Sequence, residues 1–234
     1  MKKILICASL AGMIAVTVNA QNENITWQTP TSISGPSDVS TLGTYFGSWA
    51  PHGSTLAVNG VTFQAFSDLP GLGTSFDNST GPGSFNSSGS LDATYATLLS
   101  AGAFGNNTTS YTVNWNGMTS GDVYLVELWV NDGRNIGQTR SETVTGGANT
   151  SGVLSYGSDG TGFGQFVIGT FTADNSGAET ISLNPFSSGP NPSAQLNLLQ
   201  VRDITVVPEP SSLALMAAGA GVICFGFRRK ISRG

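Results

Sequence analysis

A chain of 234 residues with 39% hydrophobic residues, 31 glycines and 10% charged residues has room for one domain and is too rich in β-branched and aromatic side chains to be disordered. The net charge is −5, but residues 21–206 set three arginines against thirteen acids, a net of −10 that repels phosphate backbones and excludes nucleic acid as a partner. Both cysteines, Cys7 and Cys224, lie in the apolar ends, so the middle has no disulfide framework, thiolate nucleophile or cysteine zinc site.

In chain order, residues 1–20 have the three parts of a signal peptide. Lys2 and Lys3 form the charged start, residues 4–16 the apolar run, and Val18-Asn19-Ala20 a small-residue site for signal peptidase, with cleavage between Ala20 and Gln21. Residues 21–206 form the exported domain. "TLAVNGVTFQAF" sets Asn59-Gly60 between two apolar runs, which predicts a hairpin. "SLDATYATLLSAG" predicts the one helix. Ser90 is its expected N-cap, Tyr95, Leu98 and Leu99 fall at i, i+3 and i+4, and Gly102 ends it.

"SYTVNWNGM" alternates Tyr111, Val113 and Trp115 with polar residues, as a half-buried strand does. "DVYLVELWV" is apolar on both faces and predicts a central strand covered on both sides. "GQFVIGTFTAD", "ETISLNPF" and "AQLNLLQVRDITVV" supply the late strands. Many short strands, one small helix and no alternation of strand with helix predict an all-β antiparallel β-sandwich, with a jelly roll as the expected topology.

The chain closes on Pro208-Glu209-Pro210, an apolar stretch over 211–227 and the basic stub 228–234, which contains Arg228, Arg229 and Lys230. Seventeen helical residues reach about 25 Å, the lower limit for a single transmembrane helix. The basic residues hold their end in the cytoplasm and leave the middle outside. Motif, span and basic cluster in this order resemble the PEP-CTERM sorting signal of Gram-negative bacteria, over residues 207–234. The resemblance implies an exosortase that cleaves near the motif, transient residence in the inner membrane, and a destination at the cell surface or in an exopolysaccharide matrix.

Residues 111–204 are similar, more loosely, to malectin-like and galactose-binding-like jelly rolls. The matches are Tyr124-Val126-Leu128, then Gly137, Thr139 and Arg140, then Asn197-Leu199-Val201, with Ser141 standing where an aromatic is common. This implies carbohydrate binding.

Candidate chemistry within the domain is sparse. His52, the single histidine, sits in a Pro/Gly loop with no G-x-S-x-G elbow, and the count excludes a histidine-rich zinc site. Glycosidase chemistry needs two carboxylates roughly 5–10 Å apart, for which Asp122, Glu127 and Asp132 are the candidates. Glu127 lies in the apolar strand, where an arginine partner, Arg140 or Arg202, is the expected compensation. "NDGRN" and "SDGTG" place Asp132 and Asp159 in turns that offer oxygen ligands to calcium, although turn formation alone accounts for both. Trp27, Tyr45, Trp49 and Phe104 are candidates for stacking on sugar rings. The expected function is a surface or matrix protein that binds glycan or serves structurally, without cofactor; the alternative is a secreted polysaccharide-active enzyme.

Overall fold

The computed structural model describes residues 23–206, apart from 51–54, 66–72, 75, 77, 87–88, 106–108, 135, 159–161 and 187–191. The expected signal peptide and transmembrane span therefore lie outside the described residues, as do His52 and Asp159. The elements begin with β1 (Thr26–Trp27), β2 (Thr31–Ser32), β3 (Thr44–Ala50), β4 (Leu56–Val58), β5 (Val61–Ala65), β6 (Gly73–Thr74) and β7 (Asn78–Thr80). Then come α1 (Ala93–Leu99), β8 (Gly102–Phe104), β9 (Tyr111–Asn116), β10 (Val123–Val130), β11 (Ser141–Gly146) and β12 (Asn149–Thr150). The last are β13 (Leu154–Ser155), β14 (Gln165–Thr172), β15 (Ala178–Pro185), β16 (Gln195–Leu196) and β17 (Leu198–Asp203).

The large sheet has the order β1-β14-β10-β17-β3-β5-β4, with β2 also on β14. The second runs β12-β11-β15-β9-β6, with β13 on β11, and a small third sheet is β16-β8-β7. After β9 the chain steps repeatedly between the two main sheets, so that β10, β14 and β17 lie in one and β11 and β15 in the other. Their facing sides make the core: Val113 and Trp115 of β9 with Ile181 and Leu183 of β15, against Tyr124, Val126 and Leu128 of β10 and Phe171 of β14. The result is a β-sandwich. It departs from the expected antiparallel scheme at one pair, since β3 and β5 run parallel. The reason is that the Asn59-Gly60 turn pairs β5 with β4, and this hairpin then docks on β3 through its second strand.

Local pattern explains several of these elements. Asn59 and Gly60 have φ of 49° and 76°, the left-handed pair that a two-residue hairpin turn requires. In β9, Tyr111, Val113 and Trp115 are buried while Asn114 and Asn116 are exposed. Strand β10 is covered on both sides, as its apolar faces predicted. Tyr124, Val126, Leu128 and Val130 enter the inter-sheet core. Trp129 turns the other way, beneath Tyr95, Leu98 and Leu99 of α1 and Phe63 of the hairpin. Each such large side chain contributes about 1.5–3 kcal/mol by leaving water.

The cap of α1 is Asp92, not the expected Ser90. Its Oδ1 accepts the amides of Thr94 (3.0 Å) and Tyr95 (3.1 Å), an arrangement for which Ser90 lies two residues too early. Nor does Gly102 end the helix. The chain leaves it at Ser100, and Gly102 opens β8, where a Cβ would lie 2.8 Å from the Phe85 ring.

Candidate binding cleft at one end of the sandwich

Where β10 leaves the sheet, three buried amide side chains tie its end to its surroundings. Asn131 donates from Nδ2 to the carbonyls of Phe85 (3.0 Å) and Leu99 (3.1 Å) and accepts from the Gly164 amide (3.0 Å). Asn197 donates to the Ala101 carbonyl (2.6 Å) and accepts from the Asn131 amide (2.7 Å). Gln195 donates to the Asn131 carbonyl (2.5 Å). In a low-dielectric interior such satisfied networks fix one geometry, and this one joins β10, β16, β17 and the end of α1.

On this base lies a charged cluster. Asp132 is fully buried and accepts from two guanidinium groups: Nε and Nη2 of Arg134 at 2.6 and 2.8 Å, and Nη1 of Arg140 at 2.6 Å. Arg140 is itself buried, donates to the Ser193 hydroxyl, and lies over the Tyr156 ring at 5.1 Å. Arg134 is more exposed, and its guanidinium stacks 4.8 Å from the centre of the Phe85 ring.

Behind Arg140, Glu142 is fully buried, and burial pushes its carboxyl up to about 8. Hydrogen-bond bookkeeping points the same way. The single proton of the Tyr156 hydroxyl has two acceptors in reach, Glu142 Oε2 at 2.5 Å and the Ser193 carbonyl at 2.9 Å. A protonated Glu142 resolves the conflict by donating to Tyr156, which then donates to Ser193.

Above the cluster opens a cleft of about 570 Å³. Phe85, Phe104 and Ile136 form its apolar wall, and Thr80, Ser84 and Gln138 offer polar groups beside Arg134 and Arg140. Phe85 and Phe104 meet edge to face at 5.8 Å. A concave site with an aromatic wall and a few fixed polar groups has the anatomy of a small-molecule site.

The structure distributes the sequence-derived candidates unevenly. Phe104 lines the cleft. Trp49 is buried in the core, Trp27 donates to the Asn149 carbonyl at 3.3 Å, and Tyr45 is 43% exposed on β3. Asp122, Glu127 and Asp132 follow β10 at five-residue steps. Strand rise separates their Cα atoms by about 17 Å per step, wider than a glycosidase pair. Both oxygens of Asp132 are committed to arginines.

Glu127 is buried but pairs with no arginine. The register sets it opposite Gln200, while Arg202 stands opposite Leu125. Its Oε2 accepts from Gln200 Nε2 (2.5 Å) and the Ser40 amide (3.0 Å), and burial pushes the carboxyl up to about 7. Arg202 instead donates to the carbonyls of Thr41, Leu42 and Gly43.

Asn131, Glu142, Tyr156 and Gln195 were not singled out by sequence. The signal for Gln195 and Asn197 was present in "AQLNLLQV", where polar residues alternate inside a run otherwise apolar enough to be buried.

Residues 206–230 match the family model described as the PEP-CTERM protein-sorting motif. Proteins with this motif are exported, exosortase-processed and sorted to the cell surface. No curated protein matches the chain. Among solved structures, the fold is similar to the ANXUR2 extracellular domain from Arabidopsis thaliana, at 13% identity and a TM-score of 0.52 over 71% of this chain and 52% of that one. It is also similar to the plant receptor-like kinase ANX2, at 11% identity and 0.53 over 70% and 49%. The ANXUR1 extracellular domain from the same plant follows, at 10% and 0.51 over 67% and 47%. The chain spans about half the length of these solved chains, and at such identities the likeness is one of fold, in agreement with the malectin-like resemblance of residues 111–204.

Proposed function

We propose that this protein is exported, cut by signal peptidase after Ala20, sorted through its tail, and binds glycan at the cell surface or in the surrounding matrix of a Gram-negative bacterium. The succession of strands across the two sheets supports reading the sandwich as a jelly roll. The observation that carries the binding reading is the cleft, where an aromatic wall meets hydrogen-bonding groups held in place by a buried network. A sugar offers the complement, an apolar ring face with hydroxyls at its rim. The alternative, a polysaccharide-active enzyme, needs two carboxylates working at one cleft, and Asp132 here serves two arginines.

Screening the full chain in detergent on a glycan array tests the binding reading. Phe104→Ala is expected to weaken the best-bound glycan about tenfold with little change in melting temperature. Binding equal to wild type would remove the cleft from consideration.

The tail is tested by replacing Pro208-Glu209-Pro210 with alanines, which leaves span and basic stub intact. Membrane insertion depends on those two features and is expected to survive. Processing depends on the motif, because proline fixes φ and holds the preceding residue extended, as a protease substrate is held. The variant is then expected at full length in the inner membrane, and the wild type shortened and outside. Mass spectrometry of the mature C-terminus decides it, and an intact Gly234 on wild-type surface protein would contradict the sorting reading.

A further inference from the structure

We infer that the cleft prefers an acidic sugar, a glycan bearing an isolated carboxylate such as a uronic acid, and that Arg134 receives that carboxylate. The inference rests on the glycan-binding reading and deepens it.

Charge placement is the first argument. Residues 21–206 contain only Arg134, Arg140 and Arg202 as basic residues, and two of the three line this one cleft. The positive charge there is local, on a domain that is otherwise strongly acidic.

The second argument is the balance inside the cluster. Two guanidinium groups share one carboxylate, Asp132. The next acid inward, Glu142, does not line the cleft, and burial, which pushes its carboxyl up, favours its neutral form. Among the described residues, the two guanidinium groups are thus ion-paired with a single carboxylate beside a buried floor.

Geometry is the third. Arg134 grips Asp132 with one edge, Nε and Nη2. The end-on fork, made by Nη1 and the second Nη2 hydrogen, has no acceptor among the described residues. A guanidinium binds planar oxyanions through such forks, two parallel N–H groups to two oxygens. Asp132 on one side and the Phe85 ring on the face hold the plane in place, so little freedom is lost when a carboxylate arrives.

The same features limit the ligand. One free fork accommodates one carboxylate, while the domain's net charge of −10 disfavours a densely charged polyanion. A mostly neutral glycan with a spaced acidic residue suits both constraints.

The test is calorimetry on the full chain in detergent, with oligosaccharides bearing glucuronate, galacturonate or a pyruvate ketal, each paired with its carboxyl-reduced twin. At least one acid is expected to bind about 10–100-fold tighter than its twin. Raising salt from roughly 50 to roughly 500 mM should narrow that ratio, since screening weakens charge contacts. Arg134→Gln should bring the ratio near one, and Arg134→Lys, which keeps charge without the fork, should restore only part of it. Equal affinity for acid and twin would overturn the acidic preference and leave the glycan cleft standing. No binding of any pair, with Phe104→Ala silent on the array, would overturn both.

Discussion

Asp132→Asn is expected to cost about 3–5 kcal/mol of folding stability, a loss of about 10 °C in melting temperature for a domain of this size. The asparagine keeps the shape and removes the charge. Arg134 is 44% exposed and can turn to water, but the Arg140 side chain is 9% exposed and cannot. The mutation leaves a buried cation with no counter-ion, a far worse state than having no ion pair at all. The double variant Asp132→Asn/Arg140→Met removes the stranded charge as well and is expected to recover part of the loss. Thermal unfolding of the full chain followed by circular dichroism reads both. A melting temperature within about 2 °C of wild type for the single variant would show that the ion cluster does not hold this end of the sandwich together.

The second large effect is that of pH, and it runs against ordinary acid denaturation. Glu127 and Glu142 are buried, and burial pushes their carboxyls up to about 7 and about 8 from an ordinary 4.5. A folded-state pKa above the unfolded one means that the native state holds the proton more tightly. The stabilisation is fully present below pH 4.5 and is lost as pH rises through about 7 and then about 8. Together the two groups make the domain less stable at pH 8.5 than at pH 5 by on the order of 5 kcal/mol, or about 10 °C or more. Glu179, also pushed up by burial to about 7, adds in the same direction. Glu142→Gln mimics the protonated carboxyl, so it is expected to be tolerated at pH 5 and to flatten the loss between about pH 5 and about pH 8. A melting temperature that rises from pH 5 to pH 8.5 would contradict this assignment.

What the sequence disclosed is what neighbours along the chain determine. Asn59-Gly60 encodes its turn because left-handed backbone is a local demand. The alternation in β9 and the double apolar face of β10 encode burial because side-chain direction has a fixed period. Pairing is not local, and the expectations that depended on it were the ones corrected. Glu127 has Gln200 rather than Arg202 as its partner because a strand register, set across 73 residues of sequence, decides who stands opposite whom. The parallel β3–β5 pair likewise follows from where the hairpin docks. The cleft was partly legible: Phe104 and Arg140 drew attention on separate grounds, but the chain brings them together with Phe85 and Arg134 from three separate segments. Asp132 was read as part of a turn; the structure sets its carboxylate between Arg134 and Arg140.

The antiparallel register of β10 with β17 fixes the pole of the sandwich from which the chain leaves. Tyr124, at the start of β10, lies beside Asp203, and Trp129, near its end, lies beside Leu198. The described chain therefore exits toward the sorting tail at one pole of the sandwich, while the cleft opens at the other, a strand length of about 25 Å away. On the proposed reading of the tail as a membrane tether, the cleft would lie at the pole away from the tether. If the cleft binds glycan as proposed, that binding would then be independent of whether the tail has been cut.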